Sequence, residues 1–271
     1  MFLGMALSLR RTQTRFVVAL AVGLALSVPA VAQTRIDRDA NRFSPAQDVE
    51  LGRRAAAEVR RDLPISRDRQ AENYVERIGT RLVGAIPARL RQPQFRYTFQ
   101  VVDRKDINAF ALPGGPIFVN RGMLDAARND GEVAGVIAHE LSHVVLRHGT
   151  AQATKAQKFQ FGAMAGQIFG SLIGGKTGAV ISQGSQIGIG TYFLKYSREY
   201  EREADLLGVQ MMARAGYDPR HMANMFQTIA RRSGNGGPEW LSDHPSPANR
   251  SDAINREAAL VRRGSPTRSD P

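Results

Sequence analysis

The sequence predicts an α+β fold, mostly helical, with one small sheet. Three observations carry that expectation. Apolar residues recur at helical spacing in several segments that open on Ser, Asn or Asp caps. One stretch, Phe95-Arg96-Tyr97-Thr98-Phe99-Gln100-Val101-Val102, alternates apolar and polar residues as a half-buried strand does. Residues 108–120 read as two short strands around Pro113-Gly114-Gly115-Pro116, where proline suits a sheet edge because it cannot donate to the ladder. The chain has 271 residues, 42% of them hydrophobic, which suffices for one domain with extensions.

Residues 1–32 read as a signal peptide. Arg10, Arg11 and Arg15 form a positive region, residues 16–28 are apolar, and Ala30-Val31-Ala32 gives a small-x-small cleavage pattern before Gln33. That apolar run is too short for a transmembrane helix, which takes about 20 residues, so cleavage and export to the periplasm are expected. The sequence has no cysteine, which excludes disulfides and a lipoprotein anchor; it fits a periplasmic protein stabilised by packing and a metal. Formal net charge is +12, carried almost wholly by arginine. With no zinc-finger spacing and no basic run interleaved with aromatics, no nucleic-acid partner is expected.

Residues 33–43 are polar and expected to be extended. Ser44-Pro45-Ala46-Gln47 combines a capping box with proline at the first helical position and opens a helix to about Asp62. A second helix is expected from about Arg67 to Val83, with Tyr74, Val75, Ile78 and Leu82 on one stripe. Asn129-Asp130-Gly131-Glu132 reads as a capping box for an apolar helix that stops at Gly149. Residues 150–158 are polar and helical. Residues 159–194, rich in Gly, Ala, Ser, Ile and Phe, read as a glycine-hinged lid in preference to a membrane-touching pair of helices. Ser197 and Gly216 bracket a further helix. Asp218-Pro219 opens another to about Arg232, with Met222, Met225, Phe226 and Ile229 inward, and Ser246-Pro247 opens a last one. Residues 264–271 read as a disordered tail.

The chemistry concentrates in His139-Glu140-Leu141-Ser142-His143. Histidines four apart leave one face of a helix about one turn from each other and can share one Zn²⁺. Glu140 lies about 100° further round the helix, too far to ligate but close enough to take a proton from a water at the metal. The neighbours Val136, Ile137, Leu141, Val144 and Val145 argue for burial, where an unpartnered histidine costs about 1–3 kcal/mol. A third ligand is sought in the helix after Ser197, where Glu201 and Asp205 share a face; Glu199 and Glu203 are rivals, although both suit ion pairs with Arg198 and Arg202. Asp205 is expected to orient a histidine or hold the site's hydrogen bonds. Two His and one Glu would leave a fourth position open, the pattern of a catalytic zinc. The edge segment Ala109, Phe110 and Ala111, with Gly114 and Gly115, is expected to dock an extended polypeptide. His244 is a candidate oxyanion donor, or alternatively a residue that fills the open zinc position, and Arg250 is its companion. His148 and His221 read as bystanders.

His139-Glu140-x-x-His143 followed by Ser197-Arg198-x-x-Glu201-x-x-Ala204-Asp205 resembles the HtpX and CAAX-prenyl-protease family of gluzincin metallopeptidases. The segments Asn108-Ala109-Phe110-Ala111-Leu112-Pro113-Gly114-Gly115 and Asp243-His244-Pro245-Ser246-Pro247 with Arg250 are similar to that family too. The resemblance implies a zincin-like metallopeptidase domain over residues 44–263, with the edge strand of its small sheet bordering the active-site cleft. It implies one Zn²⁺ on His139, His143 and Glu201, with Glu140 as base and Asp205 as a functional carboxylate. The long membrane spans of some branches are not expected here. The resemblance is therefore to the compact outer-membrane quality-control proteases. By that analogy the expected partners are unfolded or misassembled envelope polypeptides, with contact to the outer membrane or its assembly machinery.

Overall fold

The computed structural model describes residues 33–160, 196–232, 240, 244 and 249–264. The expected signal peptide, most of the expected lid, the 233–238 loop, Ser246-Pro247 and the tail lie outside them. Among the described residues, eight α-helices and three strands follow in order: α1 Pro45–Asp62, α2 Arg69–Gly84, β1 Thr98–Val102, β2 Ala109–Ala111, β3 Pro116–Asn120, α3 Arg121–Ala126, α4 Asp130–Leu146, α5 His148–Gln160, α6 Arg198–Arg214, α7 Arg220–Arg232 and α8 Arg250–Gly264. The expected α+β class, mostly helical with a small sheet, is what the structure shows.

Local chemistry sets the helix ends. At α1 both halves of the expected capping box form, Gln47 N–H donating to Ser44 Oγ at 3.2 Å and Ser44 N–H to Gln47 Oε1 at 2.7 Å. At α4 only half forms. Asn129 Oδ1 accepts from Glu132 N–H at 3.0 Å, but the Glu132 carboxylate turns to the backbone and guanidinium of Arg128. Ser197 caps α6 by accepting from Tyr200 N–H, and Gly216, at φ +77°, ends the turn after it. The end of α4 departs from expectation. Gly149 is not its stop; the helix ends at Leu146, Arg147 takes the left-handed conformation (φ 63°, ψ 34°), and α5 begins at His148. That conformation costs a non-glycine residue about 1–2 kcal/mol, and the Arg147 guanidinium offsets it with a buried bond to Asp48 at 2.6 Å and another to the Phe43 carbonyl.

The sheet has the order β1-β3-β2, β1 parallel and β2 antiparallel to β3. Its alternating side chains separate two apolar clusters. Phe99, Val101, Ile117 and Val119 face the larger one with α2 and α4, while Val102, Phe110 and Phe118 face a smaller one with Ala55, Ala56 and Val59 of α1. β1 therefore carries apolar residues toward both faces at its end. α4 is buried all round, packed against α2, α6, α7 and β2. A helix without a polar stripe belongs in the middle of a domain.

Glycines set the spacing around α4. A Cβ at Gly135 would stand 2.7 Å from Met222 Cα, and one at Gly208 would stand 3.3 Å from the backbone of Ala138. Gly135→Ala should therefore lower stability by about 1–3 kcal/mol. Gly84→Ala, where a Cβ meets nothing, should change it by no more than about 1 kcal/mol, in the stabilising direction. Urea denaturation of the two variants checks the contrast.

Candidate metal centre

The site lies where α6 crosses α4. Glu201, Asp205 and Gly208 follow one another on one face of α6, and Gly208 rests against Ala138, the residue before His139. His139 and His143 project toward that face from consecutive turns of α4. His139 Nε2 and His143 Nε2 are 3.1 Å apart; Glu201 Oε2 is 3.4 Å from the first and Glu201 Oε1 is 3.4 Å from the second. Ligands about 2.0–2.1 Å from a tetrahedral zinc stand about 3.3 Å from one another, so the two nitrogens and the Glu201 carboxylate have the spacing of one zinc site. His244 Nδ1 is 3.3 Å from His139 Nε2 and 2.9 Å from Glu201 Oε1. The four residues are buried, with ligand atoms all within 4.8 Å of one another.

The surroundings hold each donor in place. Asp205 Oδ1 lies 3.0 Å from His139 Nδ1, and Arg250 grips the same carboxylate from behind, Nε to Oδ2 at 2.9 Å and Nη2 to Oδ1 at 2.8 Å. A bidentate guanidinium fixes the carboxylate plane. Arg250 itself lies over the Phe226 ring at 3.9 Å. Glu140 is buried beside the cluster, its Oε1 accepting from Trp240 Nε1–H at 3.0 Å and lying 3.4 Å from His244 Nε2. Trp240 stacks on His244 at 4.8 Å between centroids, and Tyr196 stacks on His143 at 4.0 Å.

Charge also fits a divalent cation. Glu140, Glu201 and Asp205 are buried together with Arg250, leaving two negative charges in excess when the imidazoles are neutral. Burial disfavours charge on both imidazoles. At His139 the Glu201 and Asp205 carboxylates outweigh it and push the group up to about 9, while His143 stays well below the usual imidazole range. Glu201 is held well below the usual carboxylate range, because the His244 and His139 charges overcome its burial.

Residues 69–258 match peptidase family M48. The chain belongs to that family. That is the family to which the His139-Glu140-x-x-His143 and Glu201 motifs pointed. It is 32% identical over 217 residues to the beta-barrel assembly-enhancing protease of Yersinia pestis, covering 78% of this chain and 44% of that protein. It is 29% identical over 222 residues to the protein of the same name from Escherichia coli (strain K12), covering 79% and 44%. To metalloendopeptidase OMA1, mitochondrial, of Bos taurus it is 32% identical over 173 residues, covering 60% and 32%. The chain thus spans less than half the length of these relatives. Among the described residues, no helix is long and apolar enough to cross a membrane.

The other residues singled out from the sequence have these surroundings. Arg250, expected at the site as the companion of His244, is buried on Asp205 with its guanidinium 3.4 Å from Glu201. Gly114 and Gly115 adopt positive φ and pack into the fold: a Cβ at Gly114 would meet Val49 Cα at 2.6 Å, and Gly115 lies against the Arg96 carbonyl. Their carbonyls accept from Arg96 N–H and Thr98 N–H, which ties the turn to the residues before β1. β2 is an edge strand as expected. Bonds at Asn108–Asn120 and Leu112–Pro116 set the phase of the ladder, so Phe110 pairs with β3 while the backbone groups of Ala109 and Ala111 face away from it. Among the described residues, Glu203 stands outside the cluster of His139, His143, Glu201 and His244 and pairs with no arginine; it lies 3.1 Å from His148. His148 is no bystander, because its Nδ1 is 3.0 Å from His143 Nδ1. Trp240 and Tyr196 were not singled out by sequence. The one available signal was that Trp240, the only tryptophan, stands four residues before His244.

Asp205→Ala should weaken zinc binding by about 10- to 100-fold with the fold retained, while Glu199→Ala on the same helix should not. Competition titration against a chromophoric chelator measures both.

Proposed function

We propose that this M48 protein is a zinc endopeptidase exported to the periplasm, where it cleaves misfolded or stalled envelope polypeptides. The observation that carries the reading is the set of donor atoms of His139, His143 and Glu201 at tetrahedral spacing with Glu140 alongside. His139, His143 and Glu201 would hold the ion. A bound Zn²⁺ supplies a Lewis acid for the scissile carbonyl and lowers the pKa of water to about 7. Glu140 takes the proton of the attacking water and returns it to the leaving amine. Trp240 Nε1–H fixes the orientation of that carboxylate at Oε1. Asp205, with Arg250 behind it, keeps His139 turned toward the ion.

The substrate side is generic. The outward backbone groups of Ala111, at the partly exposed end of β2, accept an extended chain as a further strand, which positions a peptide bond without reading its sequence. A cavity of about 160 Å³ adjoins β2 and His143, lined in part by Leu51, Ala111, Leu112, Val144, Ala153 and Tyr196. It suits one apolar side chain, a kind that unfolded polypeptides expose. Envelope location and clients rest on the signal-like residues 1–32 and on relatives named beta-barrel assembly-enhancing protease. Contact with the outer membrane or its assembly machinery belongs to the same proposal.

His244 carries a second reading. Its Nδ1 faces the ligand atoms and its Nε2 faces Glu140, so the ring stands where a fourth ligand would, which favours a latent resting state over an oxyanion donor. His244→Ala should raise cleavage of casein under the latent reading and lower it under the donor reading. Glu140→Gln should retain zinc yet lose casein cleavage by about 10²- to 10⁴-fold; undiminished cleavage would refute the proposed base.

A further inference from the structure

We propose that His148 and Glu203 are positioning residues for the metal, acting through His143. The inference rests on the metal-site reading above and deepens it. Were α4 to continue unbroken, residue 148 would lie about 140° round the helix from His143, out of reach. The left-handed turn at Arg147 redirects the chain, and the first residue of α5 folds back onto the ligand. His148 Nδ1 comes within 3.0 Å of His143 Nδ1, the rings meeting edge to face with centroids 5.0 Å apart. The other nitrogen of His148 is 3.1 Å from Glu203 Oε2, and its ring stacks on Tyr200 at 4.3 Å and 15°.

With a metal on His143 Nε2, these contacts admit one assignment of protons. His143 presents Nε2 to His139 and Glu201, so its own proton sits on Nδ1. Nδ1–H donates to His148 Nδ1, which is then the acceptor nitrogen of a neutral ring. His148 carries its proton on Nε2 and donates it to Glu203. Each nitrogen of His148 then has a partner of the right kind, and both tautomers are specified. His139 reaches its carboxylate, Asp205, directly; His143 reaches Glu203 through an intervening imidazole. The two histidines are therefore oriented by separate supports, Asp205 for one and His148 with Glu203 for the other, which would turn the lone pair of each toward a bound ion. A satisfied core histidine would need only the stacking and one hydrogen bond. It would not need its free nitrogen matched to the one that a ligand must protonate.

The test is zinc affinity by chelator competition, together with the visible spectrum of the Co²⁺-substituted protein, which reports ligand geometry without any turnover. Glu203→Ala, at a side chain 27% exposed, should weaken zinc binding by roughly tenfold and shift the Co²⁺ bands. His148→Ala should do the same or more. His148→Asn, whose amide oxygen can stand where Nδ1 accepts, should restore most of the affinity. Glu199→Ala is the control on the same helix. Unchanged affinity and an unchanged Co²⁺ spectrum in folded Glu203→Ala would overturn the inference, and that variant decides the matter should His148→Ala fail to fold. Failure of the underlying reading looks different: wild type would bind no zinc, and Glu201→Ala would then change nothing.

Discussion

The site depends on how closely α4 and α6 cross. Gly208 lets the backbone of α6 approach Ala138, and the ligands follow from that contact: His139 is the next residue on α4, while Asp205 and Glu201 are the preceding positions on the same face of α6. Any side chain at Gly208 would force the helices apart, or Met222 aside, since a Cβ there would stand 2.6 Å from Met222 Cε. Two imidazole nitrogens 3.1 Å apart, each 3.4 Å from an oxygen of Glu201, tolerate little of that. An ion shared by two helices is only as well placed as the distance between their axes.

Burial makes this arrangement demanding. Three carboxylates and a guanidinium lie within an apolar interior, where removing one partner of a buried ion pair costs about 3–5 kcal/mol. The structure answers with reciprocal partners: Arg250 on Asp205, Asp205 on His139, Trp240 on Glu140, Glu203 on His148. The rise of His139 to about 9 expresses the same imbalance, since an excess of negative charge draws a proton to the imidazole beside it. A divalent cation supplies that charge in another form. Metal binding and the packing of this interior are thus one problem in electrostatics.

Much of this was legible in the sequence, for a physical reason. His139, Glu140 and His143 share a helix, and Glu201 with Asp205 share another, so regular 3.6-residue spacing fixes each group relative to its neighbours. Caps built from Ser44 and Ser197 declared where their helices begin. What escaped depends on irregular backbone or on distant contacts. Arg147 takes a conformation usually left to glycine, held by Asp48 a hundred residues earlier, and only that turn makes His148 a neighbour of His143. Gly114 and Gly115 sit in the motif yet serve the hairpin, because the bulk they must avoid belongs to α1 and to the residues before β1. Trp240 reaches Glu140 across exactly the kind of long-range contact that periodicity does not encode.

The central claim is one ion shared by α4 and α6. Crystals of the purified protein, measured on both sides of the zinc absorption edge, test it most directly. The account predicts a single anomalous peak about 2.0–2.1 Å from Nε2 of His139, Nε2 of His143 and an oxygen of Glu201. A zinc-loaded protein whose anomalous peak lies away from these three side chains would contradict it.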